Sequence, residues 1–153
     1  GLAAIRPRKL ESKVRRQLLR FSIFEVIGLA ESIRYTQTVQ VTDGPSLSKT
    51  ALLSSEAYDV ISATIEKSTG PTTINIQPGG EGDVVLLFIT SDSYADLSYT
   101  VDAEITEIDL DMPQLFLGGQ IALLGATCNA LKFTNASVDT DANVKIIVAR
   151  SAE

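Results

Sequence analysis

Tyr58-Asp59-Val60-Ile61-Ser62-Ala63-Thr64-Ile65 and Thr72-Thr73-Ile74-Asn75-Ile76-Gln77 alternate in character, whereas Val84-Val85-Leu86-Leu87-Phe88-Ile89 is apolar throughout. A period of two is that of an extended chain, whose successive side chains point to opposite faces. It puts Ile61, Ala63 and Ile65 on one face, and Ile74 with Ile76 on another. The separators are turn-formers: Ser68-Thr69-Gly70-Pro71, Pro78-Gly79-Gly80-Glu81-Gly82 and Ser91-Asp92-Ser93. Working outward, the same reading places strands at 34–42, 57–67, 72–77, 83–90, 97–103, 105–110, 130–135 and 143–149. Asp43-Gly44-Pro45 closes the first of these. The stretch 113–127, with Gly118-Gly119 and Gly125, is either a long connection or a short helix plus strand. No long helical pattern alternates with the strands, which argues against a parallel α/β fold.

Short punctuated strands predict a mainly β body, an antiparallel β-sandwich or jelly roll over 35–153. Its predicted core is Ile61, Ile65, Ile74, Ile76, Leu86, Phe88, Leu97, Phe133, Ile146 and Val148. The segment 83–90, apolar at nearly every position, predicts a central strand covered on both faces. One cover is the opposite sheet; the other is an N-terminal helix or a neighbouring subunit.

Residues 1–34 read differently. Leu10, Val14, Leu18 and Phe21 are spaced 4, 4 and 3, and Lys9, Lys13, Arg16 and Arg20 are spaced 4, 3 and 4. These are neighbouring stripes of one helix. Pro7 suits a first helical turn. A helix over 8–20 follows, with an open question of continuation toward Ile33. Residues 1–20 hold seven basic side chains against Glu11 alone, a net +6, while 21–153 hold 6 basic and 18 acidic, a net −12. A basic arm on an acidic body seeks polyanions or an acidic protein surface. The arm's readings are docking on a partner or another copy, packing on its own body, nucleic acid and membrane. Docking leads, with Lys9, Leu10, Lys13, Val14, Arg16, Leu18, Arg20 and Phe21 as the contact residues. Nucleic acid contact is the lesser reading, because aromatics are not interleaved with the charges. A membrane role is disfavoured by the narrow apolar face without Trp.

The chain of 153 residues is one domain's worth, with 44% apolar and 21% charged residues, as in globular proteins. The apolar run 84–89 is too short to cross a bilayer as a helix, which needs about 20 residues. Glu25 interrupts the apolar stretch 21–30, which argues against a secretory signal. The sequence has no histidine and one cysteine, Cys128. That excludes Ser-His-Asp and Cys-His catalysis, and histidine metal sites. Cys128, in an apolar stretch, is expected as a small buried hydrophobe.

Other chemistry is thin. Ser46-Leu47-Ser48-Lys49 matches Ser-x-x-Lys, but its partner motifs are absent, and it is expected in a solvated loop. Gly79-Gly80-Glu81-Gly82 lacks the Lys-Ser/Thr and helix of a phosphate loop. Glu104, Glu107, Asp109 and Asp111 are dense enough for paired-carboxylate chemistry, but their alternation with Ile108, Leu110 and Met112 fits a half-buried strand. Asp139-x-Asp141-x-Asn143 opens like a calcium loop, yet Val144 and Arg150 occupy the glycine and glutamate positions. A looser cation site there stays open beside a plain hairpin turn. Asn135-Ala136-Ser137 fits the glycosylation pattern, a match frequent by chance. No enzyme, cofactor or metal site is expected.

Thr73-Ile74-Asn75-Ile76-Gln77-Pro78-Gly79, Leu87-Phe88-Ile89-Thr90 with Tyr94 and Leu97-Ser98-Tyr99, Lys132-Phe133-Thr134-Asn135 and Val144-Lys145-Ile146-Ile147-Val148-Ala149-Arg150 together resemble small bacteriophage virion proteins of sandwich or jelly-roll type. Capsid decoration (cement) proteins are the example. The resemblance covers residues 57–150. It implies a homo-oligomer, a trimer among the options, made in the host cytoplasm and seated on the capsid surface. It also implies the major capsid protein or other virion proteins as partners. The arm would clamp neighbouring subunits. Alternatives are another virion component (a minor or single jelly-roll capsid protein, a tail or neck protein) and a carbohydrate-binding sandwich module using Tyr94, Tyr99 and nearby acidic residues.

Overall fold

The structure, a computed structural model, describes residues 31–76, 83–125 and 128–151. The predicted arm helix, with Lys9, Leu10, Lys13, Val14, Arg16, Leu18, Arg20 and Phe21, lies outside the described residues. So does the glycine-rich turn 79–82. From Ser32 onward the chain forms one compact unit.

That unit is mainly β, and its paired strands run antiparallel. The described strands are β1 (Glu31–Gln40), β2 (Ser46–Ser55), β3 (Ala57–Ile65), β4 (Thr69–Asn75), β5 (Val84–Ser91), β6 (Leu97–Val101), β7 (Ile108–Asp109), β8 (Gln114–Leu117), β9 (Ala130–Asn135) and β10 (Ala142–Arg150). A 3-10 turn, Gly118–Leu124, follows β8. β1 and β2 form a separate two-stranded ribbon. The other eight strands make two four-stranded sheets, ordered β3-β10-β5-β8 and β4-β9-β6-β7.

The two sheets share one core, and register explains it. In the first sheet Ile61, Ile146 and Ile89 stand in one row, and Val148 with Leu87 in the next. In the second, Phe133 stands between Thr72 and Tyr99, and Leu131 between Ile74 and Val101. These side chains meet in a single apolar cluster, with Ile61 and the inward Phe116 packed against it. The rings of Tyr99 and Phe133 lie 5.5 Å apart at 39°. Tyr99 donates its hydroxyl proton across the core to Gln114 at 2.7 Å, tying β6 of one sheet to β8 of the other. That satisfies a buried hydroxyl that would otherwise cost free energy.

Several expectations need correcting. The 46–49 segment is not a loop; it opens strand β2. The strand expected at 105–110 shrinks to Ile108–Asp109. Over 113–125 the second of the two expected alternatives holds, as strand β8 and the 3-10 turn. β5 is an interior strand, as its apolar run implies, but its facing is shifted by one residue. Leu87 and Ile89 point into the core, whereas Leu86 and Phe88 face outward and Phe88 is only half-buried. In a strand that is apolar at every position no alternation marks the inner set, and a slip of one residue exchanges the faces.

Candidate assembly surfaces

The ribbon β1–β2 is held by its turn and by a hydroxyl ladder. At the turn the Gly44 amide donates to Val41 O at 2.9 Å, and the Val41 amide donates to Pro45 O at 3.0 Å. Asp43 takes φ 57°, a left-handed value that Asp tolerates in turns. A Cβ on Gly44 would sit 3.0 Å from Val41 Cγ1, so the turn favours glycine there. Thr36 bonds Thr50 at 2.8 Å and Thr38 bonds Ser48 at 2.9 Å, side chain to side chain. These pairs set the register. Thr36, Thr38, Ser48 and Thr50 share one face with Leu52. The opposite face carries Ile33, Tyr35, Val39, Val41, Leu47, Ala51 and Leu53, with Gln37 and Lys49 among them. At its base Ile33, Tyr35, Ala51 and Leu53 are half-buried. Toward the tip the apolar side chains are bare: Val39 is 67% exposed and Leu47 75%.

The ribbon joins the body through one residue. The Glu56 amide donates to Arg150 O at 2.9 Å, just past the last β3–β10 pair. Beside that junction the Arg150 guanidinium, 6% exposed, donates to Asp59 Oδ2 at 2.7 Å, and it also donates to Ile76 O at 3.2 Å. Arg150 and Asp59 both point inward, so the pair closes the end of the core.

The outer faces of the two sheets differ. On the second sheet Thr73, Lys132 and Thr100 form one row, and Thr134, Ser98 and Asp109 another. This face is polar, as solvated antiparallel sheets usually are. On the first sheet the matching rows are Val60-Ile147-Phe88-Leu115 and Tyr58-Ala149-Leu86-Leu117, which cross all four strands. Leu86 and Ala149 are buried, Ile147, Phe88, Leu115 and Leu117 are half-buried, and Tyr58 and Val60 are exposed, Val60 at 56%. Only the next row, Ser62-Lys145-Thr90, turns polar.

The chemical candidates fare as follows. Ser46 and Lys49 are an odd number of residues apart on one strand, so their side chains leave opposite faces and form no dyad. Glu107, Asp109 and Asp111 line one open depression with Tyr94, Asp96 and Thr134, while Glu104 lines a different one with Ile108 and Leu123. The Glu107 carboxylate accepts a hydrogen bond from Ser98 Oγ. All four residues are exposed, and they do not face one cleft.

Tyr99 belongs to the core, and burial pushes its phenol upward from the ordinary value. Tyr94 is half-buried, and its hydroxyl accepts the Ser91 amide at 3.1 Å. Cys128 is buried, and burial first, then the charge of Asp102, pushes its thiol up to about 11.

The calcium-like segment is used structurally. Asp141 Oδ1 accepts the Lys67 amide, Lys67 Nζ donates to Asp139 O, and the Asn143 side chain bonds Thr64 and Asp92. Among the described residues, no group of three or more Cys, Asp or Glu side chains is arranged to hold a metal ion. The Asn143 bonds hold the Asp92 carboxyl below its ordinary value.

Asn135, the residue of the glycosylation pattern, is 1% exposed. Its amide donates to Ile65 O and Thr140 O, and its Oδ1 accepts the Ser137 amide. A side chain so engaged is closed to glycan attachment in the folded chain.

Sequence reasoning anticipated the two-sided cover of 83–90. It found the ribbon's first strand, expected at 34–42, but missed the second, Ser46–Ser55, whose signal was a Ser/Thr-rich segment just past Asp43-Gly44-Pro45. Comparison with protein families, curated proteins and solved structures finds no match.

Proposed function

We infer that the protein is a non-enzymatic structural subunit of a virion, of the capsid-decoration kind, which self-associates and clamps neighbouring virion proteins. The strand order β3-β10-β5-β8 over β4-β9-β6-β7 supports reading the body as a jelly roll, an architecture of viral capsid and lectin domains. A fold does not choose among its functions; surfaces do. One observation carries the reading: one sheet turns a polar face outward while its sister turns outward two full apolar rows. The side chains of those rows that water still meets most are Tyr58 and Val60 on the edge strand β3, 50% and 56% exposed, and covering a large side chain contributes about 1.5–3 kcal/mol when burial is complete. An exposed apolar edge beside the polar row Ser62-Lys145-Thr90 is the form of an interaction site. The residues 1–34 arm, basic and amphipathic, would add a second contact to an acidic neighbour, and the capsid surface is the corresponding location.

Co-sedimentation tests this. Mixed with shells of its own virus that lack it, the full chain should pellet with the particles. Val60→Asp, at the centre of the band's exposed edge, should release it. A chain that stays in the supernatant overturns the virion reading.

A further inference from the structure

We propose that the groove between the 102–107 loop and the 3-10 turn Gly118–Leu124 receives the basic arm of a second copy of this chain, residues 8–21, each copy giving one arm and receiving one. This rests on the self-association just inferred and names the surface that the arm meets.

The groove is apolar and open. Val101, Ile108, Leu123 and Leu124 line it, with the Glu104 carboxylate beside them. Gly125, at φ 123°, leaves room for that side chain: a Cβ there would stand 3.3 Å from Glu104 Cγ. Leu123 is 81% exposed, and Ile105, between the lining residues Glu104 and Thr106, is 95% exposed. Among the described residues no large apolar side chain is barer than these two. The groove holds about 210 Å³, below the about 300–1,000 Å³ of small-molecule sites. It suits the side chains of a protein segment laid along it.

Charge selects the segment. From Val101 to Leu131 the chain carries five carboxylates, at positions 102, 104, 107, 109 and 111, and no basic residue. A segment that combines apolar side chains with cations complements such a border. Residues 1–20, with a net +6, are that segment; the six basic residues after them stand singly. Leu10, Val14 and Leu18 supply anchors at i, i+4 and i+8, as an amphipathic helix laid in a groove does, and Lys9, Lys13 and Arg16 run beside them.

Position makes the exchange reciprocal. The row Tyr58-Ala149-Leu86-Leu117 is the last to cross all four strands of its sheet. Just beyond it lie Glu56, the ribbon's root, and Gly118, where the 3-10 turn starts. The pairs Thr36–Thr50 and Thr38–Ser48 carry the ribbon's register back to Ser32 opposite Ser54, so the chain enters the body at the groove's end. Residues 22–31 span from about 15 Å as helix to about 33 Å extended, enough to cross to a neighbouring body. Two bodies meeting end to end thus bring each arm to the other's groove, an isologous contact closed by a two-fold axis.

Sedimentation velocity on the full chain decides the matter. Leu123→Asp should weaken self-association about tenfold or more, as the loss of a buried anchor does. Val14→Asp on the arm should do the same, and the double variant should be little worse than either, since both remove one contact. Val138→Asp, at a side chain 73% exposed outside the groove, should change it by less than about threefold. Unchanged thermal unfolding at dilution would show that these variants keep their fold. Val14→Cys and Leu123→Cys chains, prepared separately and mixed under a thiol oxidant, should form a mixed disulfide, with the buried Cys128 contributing no background. If the wild-type chain associates and Leu123→Asp associates equally well, the proposal falls while the assembly reading stands; loss of that variant from the shells would then give the groove to another virion protein. If the disulfide forms only within one chain carrying both cysteines, the arm lies on its own body, and the proposal falls too. A wild-type chain that is monomeric throughout overturns both.

Discussion

Removing Asp59 should cost more than removing its partner Arg150, although the two share one ion pair. Arg150 is 6% exposed and Asp59 36%. Taking away one member of a fully buried pair costs about 3–5 kcal/mol, because a charge is left without compensation. A fully exposed pair contributes about 0–1 kcal/mol. In Asp59→Ala the guanidinium stays buried and keeps only the carbonyl of Ile76. Water reaches the site from the Asp59 side alone, so the cost should lie between those limits, at about 2–3 kcal/mol. In Arg150→Met the remaining carboxylate is already one-third in water and can hydrate, while the methionine fills the apolar volume. That change should cost about 1 kcal/mol. The double variant should be no worse than Asp59→Ala, which gives a coupling energy of about 1 kcal/mol or more. Urea unfolding of the four chains, at dilution, measures the cycle. Additive single costs, or Arg150→Met costing more than Asp59→Ala, would refute the idea that an unpaired buried guanidinium dominates.

Leu87→Ala, which empties an inward site, should cost about 2–5 kcal/mol, and Phe88→Ala on the outer face less than that in the dissociated chain; the reverse order in denaturant titrations would put β5 in the other register. Burial keeps Cys128 and Tyr99 neutral in the folded chain, whereas the unfolded chain ionises them near their ordinary 9.0 and 10.0. Their contribution to stability is therefore whole below pH 9 and is lost as pH rises toward and past about 11. Equilibrium unfolding across that window should show the decline, and a thiol reagent should label Cys128 at neutral pH only as fast as the chain opens. Deleting residues 1–20 should leave the body's circular dichroism intact and weaken assembly, with a larger loss from Val14→Ala plus Leu18→Ala than from changing Lys9, Lys13, Arg16 and Arg20 to Gln. The opposite ranking would direct the arm to nucleic acid.

Much of this fold is legible in the chain because one-sided burial writes itself as alternation. Residues 57–65, 130–135 and 142–147 turn every second side chain to the more buried side, and their strands could be read within a residue or two. β2 could not. Both of its faces meet water, so Ser46-Leu47-Ser48-Lys49-Thr50 carries no burial contrast and looks like a loop after Asp43-Gly44-Pro45. β8 is four residues long between Pro113 and Gly118-Gly119, too short for a period to show. β5 failed in the opposite way: apolar on both faces, it announces a strand but not which residues point inward. The surfaces follow the same logic. The cover over 83–90 was visible from its composition. The outer rows were not, because they depend on which strands lie side by side, and β10 sits between β3 and β5 from far along the chain. The Arg150–Asp59 pair, 91 residues apart, and the three bonds of Asn135 are likewise products of topology rather than of any local pattern.

The account turns on whether the exposed apolar edge of the β3-β10-β5-β8 sheet, Tyr58 and Val60, is covered by protein in the native assembly. Native mass, measured by light scattering on the full chain over a wide concentration range, tests it most directly. Self-association predicts a mass that is a whole multiple of 16.4 kDa and falls toward the single chain on dilution or with Val60→Asp. A mass of 16.4 kDa at every concentration would contradict it.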